Sequence, residues 1–114
     1  MQMHYIAEVL QNEGYKVINT LYKHCADYHK SNIYPGVPEY VNQRGQGMYH
    51  YLTGAASWLL LTVLNEMYGI KGELGALKLA PKLLAEQFSN GMASATCMFR
   101  GANITVTYQN PFGL

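Results

Sequence analysis

Hydrophobic positions along the chain recur first with a helical and later with an alternating period. Met3, Ile6, Ala7 and Leu10 fall at i, i+3, i+4 and i+7, the spacing of one apolar stripe on an α-helix. Gly14 then reads as a helix stop, because glycine takes the left-handed C-terminal conformation most readily. Val17, Leu21 and Cys25, with Ile18 and Tyr22, mark a second amphipathic helix, and the two predict an αα-hairpin. Residues 31–47 are expected to be a loop, punctuated by Pro35, Gly36, Pro38, Gly45 and Gly47 and without any surviving period. A third helix is predicted over residues 54–68. Trp58, Leu59, Leu60, Leu61, Val63 and Leu64 cover its whole circumference, which predicts burial on all sides. Two amphipathic helices cannot enclose such a helix, so further protein is expected around it.

Beyond Gly69 the period changes. Leu77 and Leu79 followed by Pro81 predict a short strand ending at the proline, and residues 83–88 a brief helical turn. Thr96, Met98 and then Ile104, Val106, Tyr108 flank Arg100-Gly101-Ala102-Asn103, the signature of a β-hairpin. A lone hairpin is marginally stable at best, so this one is expected to belong to a larger sheet. The chain thus holds a helical and a β part, each incomplete, and reads as a fragment or truncated reading frame. Alone, it is expected to be poorly soluble or partly unfolded.

Composition narrows the function classes. Of 114 residues, 49% are hydrophobic and only 13% charged, about half the usual charged share, which points to a surface covered by other protein. A net charge of +1 without any Lys/Arg run argues against a nucleic-acid partner. The longest apolar run, residues 55–64, is too short for a membrane span, which needs about 20 residues. Residues 1–10 carry His4 and Glu8 and lack a basic start, so no signal peptide is read and the expected location is cytoplasmic. Cys25 and Cys97 are far apart in no metal or redox spacing and read as reduced, buried thiols. His24 and His29, five residues apart, do not share a helix face, and no metal site is expected. Asn103-Ile104-Thr105 fits a glycosylation acceptor but falls in the expected hairpin and reads as chance.

Candidate chemistry gathers around the start of the third helix. Thr53 occupies the N-cap position and Gly54 the first helical residue. A capping box would carry Glu or Gln at N3, where this chain has Ala56. The first turn, Gly54-Ala55-Ala56-Ser57, contains no carboxylate to offset the helix dipole. Free N–H groups, a hydroxyl and small side chains suit a phosphate. The alternative is a simple Thr53 cap worth about 1 kcal/mol. Gly45-Gln46-Gly47 fails as a dinucleotide fingerprint, because His50 stands where the third glycine belongs and no strand precedes it. The preceding loop holds Tyr34, Glu39, Tyr40, Asn42, Gln43 and Arg44, residue types that line sugar sites, with His50 nearby as a donor or a packing residue.

Pro38-Glu39-Tyr40 followed by Gly45-Gln46-Gly47-Met48-Tyr49-His50-Tyr51-Leu52-Thr53-Gly54-Ala55-Ala56-Ser57-Trp58 resembles the carboxy-terminal region of glycoside hydrolase family 94. Tyr68-Gly69-Ile70-Lys71, Leu77-Lys78-Leu79-Ala80-Pro81 and Val106-Thr107-Tyr108-Gln109-Asn110-Pro111 follow that family's order. The family includes cellobiose, chitobiose and 1,2-β-oligoglucan phosphorylases and the phosphorylase-like end of cyclic β-1,2-glucan synthases. The resemblance implies a mainly α chain with β at its C-terminus: residues 1–72 as the last helices of an (α/α)6 toroid, and residues 73–114 as the start of a β-sandwich.

It also implies an inverting β-glycoside phosphorylase, a glycosyltransferase that uses inorganic phosphate as co-substrate and no cofactor. Phosphate displaces a sugar from a β-glucoside to give α-glucose 1-phosphate, while a carboxylic acid protonates the leaving oxygen. By the same resemblance Thr53 and Gly54 contact phosphate, and Glu39, Tyr40, Arg44 and His50 lie on the sugar side. Its general acid is an Asp from an earlier segment. Asp27 alone is present here and matches no such motif, so no catalytic residue is assigned and this chain by itself is expected to be inactive. The implied partners are a β-linked gluco-oligosaccharide, phosphate and the rest of the catalytic domain, with a homodimer of the full-length enzyme as a further assembly. The alternative is a non-catalytic carbohydrate-binding or interaction fragment.

Overall fold

α1 runs from Gln2 to Ala26 without interruption. The computed structural model describes residues 2–49 and 54–113, with the backbone alone for residues 2–9. Gly14 lies inside α1 with nothing within 4 Å of where a Cβ would stand, so it does not end the helix and the αα-hairpin does not form. One interior glycine costs a helix only about 1 kcal/mol relative to alanine. Helical residues propagate cooperatively on both sides of it, and no proline forces a break. Lys23 and His24 in the last turn sit favourably at the negative end of the helix dipole.

Two compact units divide the chain, one ending at Leu61 and the other beginning at Thr62. In the first, α1 is followed by the short helix α2 (Tyr28–Ser31). Asp27 caps α2 by accepting from the Lys30 N–H at 3.3 Å, and Asn32 closes it in the left-handed conformation. Residues 31–47, read as plain loop, contain a two-residue ribbon of β1 (Tyr40–Val41) and β2 (Gly47–Met48). Its antiparallel register pairs Tyr40 with Met48 and Val41 with Gly47. α3 follows at Gly54–Leu61. Among the described residues no side chain buries its apolar circumference: no residue of α3 is buried, and Trp58 is 74% exposed.

In the second unit a π-helix spans Thr62–Met67, continued by the Tyr68 N–H donating to the Val63 carbonyl. β3 (Ile70–Glu73) and β4 (Ala76–Leu79) form a hairpin, of which the sequence showed only the second strand. A 3-10 turn occupies Ala85–Gln87. β5 (Met92–Phe99) pairs with β6 (Ala102–Gln109) along their whole length. Leu74-Gly75, Asn90-Gly91 and Arg100-Gly101 all have both residues at positive φ, as a tight type I′ turn requires.

Ala95, Cys97 and Phe99 share the sheltered face of this hairpin with Ile104, Val106 and Tyr108. Thr96 and Met98 point the other way, to solvent. Cys97 is only half-buried; Cys25 in the first unit is buried, and burial raises its thiol pKa. The Tyr108 hydroxyl donates to the Tyr68 carbonyl at 2.7 Å. Burial raises its pKa.

The fold is therefore mixed α and β, and the toroid-plus-sandwich architecture is not what this chain forms. Among the described residues there are three separate antiparallel two-stranded sheets, and the β5–β6 hairpin joins no larger sheet. The continuous α1 gives the first unit one long helix where two antiparallel ones were expected.

Two glycines provide opposite tests. Gly14→Ala is expected to stabilise the chain by about 0.5–1 kcal/mol, by restricting the unfolded state and filling open space. Gly69 has φ +67°, and a Cβ there would land on the Ala80 carbonyl. Gly69→Ala should therefore lower the unfolding midpoint, read by circular dichroism in urea. Equal midpoints for the two variants would contradict the geometry.

Candidate functional site

The loop ahead of α3 is built around Asn42. Its Oδ1 accepts from the backbone N–H groups of Arg44 (2.9 Å) and Gln46 (3.0 Å), an Asx-type arrangement that fixes the turn. The Asn42 N–H donates to the Gln46 carbonyl. From α1, His24 Nε2 donates to the Gly45 carbonyl at 2.6 Å, so the proton sits on that nitrogen.

The two glycines of the Gly-Gln-Gly string have structural roles. Gly45 takes φ +81° beneath His24, and a Cβ at Gly47 would come within 2.8 Å of Ile33 Cγ2. Ile33 therefore packs directly on the ribbon backbone. It is held there from the other side by Ser31, whose fully buried hydroxyl donates to the Cys25 carbonyl and accepts from the Ile33 N–H.

The ribbon's open end leads to Glu39, whose N–H donates to the Tyr49 carbonyl at 3.0 Å. Glu39 Oε1 accepts from the Ala55 N–H at 3.3 Å, and a Cβ on Gly54 would come 2.8 Å from the same oxygen. A carboxylate thus sits at the start of α3, where orphan N–H groups and the helix dipole favour negative charge. The local sequence contains no such group; the loop delivers it from sixteen residues before Ala55.

Among the described residues, the candidates are not gathered into one cluster. Gly54 and Glu39 meet at the α3 start, while Thr53 and His50 lie outside the described residues. Tyr40, 56% exposed, is in β1. Arg44 is exposed on the turn at the opposite end of the ribbon from Glu39.

A feature not assigned from sequence lies beside them. The turn 32–36 and the ribbon end 47–49 enclose an open cleft of about 590 Å³. Tyr34 and Tyr49, 57% and 68% exposed, are among its lining residues, with Asn32 and Pro35. Tyr34 was recognisable by residue type. Tyr49 was part of the motif string, but nothing in the string indicates which wall it joins.

Asp27 is occupied elsewhere. Besides capping α2 it pairs with Lys30 at 3.2 Å, and hydrogen bonding from Lys30 holds its pKa below the usual aspartate value. Among the described residues no group of three or more His, Cys, Asp or Glu side chains could hold a metal ion, and no helix is long and apolar enough to cross a membrane. No protein-family model matches the chain, and no curated protein matches it significantly.

The Asp27 geometry has a pH consequence. A carboxyl whose folded pKa is lowered contributes stability above its unfolded pKa and loses it as pH falls through the folded value. Acidification from neutral pH should therefore fray α2 once it passes below the usual aspartate range. Asp27→Asn should remove this step from amide exchange at Lys30 and Ser31. An unchanged acid profile in the variant would dismiss Asp27 as the titrating cap.

Proposed function

We propose that the chain is part of a cytoplasmic inverting β-glycoside phosphorylase, contributing the wall that receives inorganic phosphate beside a β-linked gluco-oligosaccharide. The observation that carries this reading is the start of α3. The Gly45-to-Trp58 string ends in a helix whose first turn is all small side chains, and a backbone N–H there already binds a carboxylate oxygen. In the reaction a phosphate oxygen bonds to the anomeric carbon as the glycosidic C–O bond breaks. The leaving oxygen takes its proton from a carboxylic acid. Asp27 is engaged with Lys30 and α2, so that acid comes from protein outside this chain, which would also cover Trp58, Leu60 and Leu61.

Thr53 and Gly54 are the phosphate contacts in this reading. Glu39 has a double part: it satisfies the α3 terminus when phosphate is away and yields to the incoming anion, moving towards the sugar side with Tyr40. Arg44 and His50 remain sugar-side candidates. A second reading, a non-catalytic carbohydrate-binding fragment, is favoured by the exposed Tyr34 and Tyr49 and by the carboxylate already seated at the helix start.

Titration with inorganic phosphate, followed by amide NMR, separates the two. The phosphorylase reading expects the Gly54 and Ala55 amides to shift, and Glu39→Gln to tighten binding by removing the competing charge. Thr53→Val should cost roughly 1.5–3 kcal/mol, the value of one hydrogen bond to a charged group, or about 10- to 150-fold in phosphate affinity. Amides that stay unmoved in both the parent and Glu39→Gln chains overturn the phosphate assignment and leave the carbohydrate-binding reading.

A further inference from the structure

The β5–β6 hairpin leaves one edge open. Neither strand contains a charged residue or a proline, the residues that usually blunt an exposed edge. The β5 edge is engaged at its start, where Met92 and Ser89 exchange two backbone hydrogen bonds of 2.9 and 3.0 Å. The β6 edge is different. The Asn110 N–H donates to the Gly91 carbonyl at 2.8 Å, which fixes the alternation, since in an antiparallel ladder every second residue turns its N–H and C=O to the same neighbour. Ala102, Ile104, Val106 and Tyr108 therefore bond to β5, while Asn103, Thr105, Thr107 and Gln109 turn theirs outward. Among the described residues of the second unit, those outward backbone groups have no partner.

The strand that fits this edge is a copy of β6 itself. Antiparallel pairing about a two-fold axis at Val106 sets Val106 against its own copy, Thr105 against Thr107 and Asn103 against Gln109. All four outward residues then exchange backbone bonds, about eight in total. Ile104 falls opposite Tyr108, so the sheltered apolar face continues across the joint and the Thr and Asn side chains stay on the solvent face. A slip of one residue would set apolar side chains on the polar face. Charge selects the same arrangement. β6 is neutral, and the charged residue nearest to it in sequence is Arg100, in the turn. Antiparallel pairing places the two Arg100 turns at opposite ends of the joint sheet, whereas parallel pairing would set them side by side.

We propose that β6 is the docking edge for a second copy of this chain, giving a four-stranded sheet in the order β5-β6-β6-β5. The gain comes from sheet size, because a two-stranded hairpin is marginal and three or more strands are needed for stability. Ser89 on Met92 obstructs the β5 edge, so assembly closes at two copies. Each strand is roughly 27 Å long and the covered strip about 10 Å deep. That is on the order of 300 Å² per copy, against about 800 Å² in a standard interface, so the dimer is weak and reversible. The inference uses neither the phosphate nor the sugar reading.

Sedimentation equilibrium of the full 114-residue chain should show the mass rising from 12.8 kDa towards twice that value between about 10 μM and about 1 mM. Over the same range the amides of Asn103, Thr105, Thr107 and Gln109 should gain protection from hydrogen exchange, and those of Ser94, Thr96 and Met98 on the β5 edge should not. Thr107→Pro removes one outward N–H and leaves the bonds to β5 in place; it should weaken association by at least about tenfold. Thr105→Lys/Thr107→Lys sets lysines opposite each other across the two-fold axis and should be monomeric. Mixed with Thr105→Glu/Thr107→Glu, it should recover the dimer.

The charge-pair rescue keeps the test decisive if Thr107→Pro fails to fold. A parent chain that stays monomeric throughout, a dimer that the lysine variant leaves intact, or concentration-dependent protection at the β5 edge in place of β6 would overturn the proposal.

Discussion

The first unit depends on a single hydroxyl. Ser31 is completely buried, and its Oγ joins the Cys25 carbonyl, one of the last carbonyls of α1 and without a partner in that helix, to the Ile33 N–H. The Cys25 carbonyl is buried and the Ile33 N–H partly so, and leaving a buried backbone group unsatisfied costs more than a hydrogen bond normally contributes. By meeting both, Ser31 fixes how the chain leaves α1. Ile33 is thereby set against Gly47, and the ribbon against the turn. Everything offered as a site in this unit, from the tyrosine cleft to the Glu39 carboxylate, inherits its position from that link.

Glu39 shows why a helix terminus cannot be judged from its own first turn. Gly54, Ala55, Ala56 and Ser57 bring no negative charge, and on that basis the terminus reads as open to an anion. The ribbon reverses this by carrying a carboxylate onto the Ala55 N–H. The electrostatic preference of the terminus is the same in both descriptions. What differs is that the protein itself has an anion to offer, so any external anion would first have to displace the Glu39 carboxylate from the Ala55 N–H.

The second unit is organised differently, by turns more than by a core. Three X-Gly pairs place two consecutive residues at positive φ, and each reverses the chain within two residues. Asn90-Gly91 is the strongest short-range hairpin signal in the sequence, whereas Leu74-Gly75 is disguised by a leucine in a conformation that β-carbons resist. That disguise is why β3 was not legible. Ile70 and Ala93 are the buried apolar residues here, and the Tyr108 hydroxyl on the Tyr68 carbonyl ties the hairpin back to the end of the π-helix.

The sequence by itself determined what depends on near neighbours. Apolar spacing marked helix on both sides of Gly14 and over residues 54–68, where the structure forms α1, α3 and the π-helix; alternation marked β4 and the β5–β6 hairpin, and the 3-10 turn fell inside the expected stretch. Only the tertiary structure decided the rest. Gly14 could end a helix or sit within one, because a cost of about 1 kcal/mol is settled by the helix on both sides. The apolar circumference of α3 specifies a surface that favours burial, yet cannot specify that this chain supplies the cover. The ribbon, the Ile33–Gly47 contact and the reach of Glu39 to Ala55 join residues separated by many positions. No local period encodes such contacts, since they arise when backbone groups without partners, such as the Cys25 carbonyl, find them across the fold.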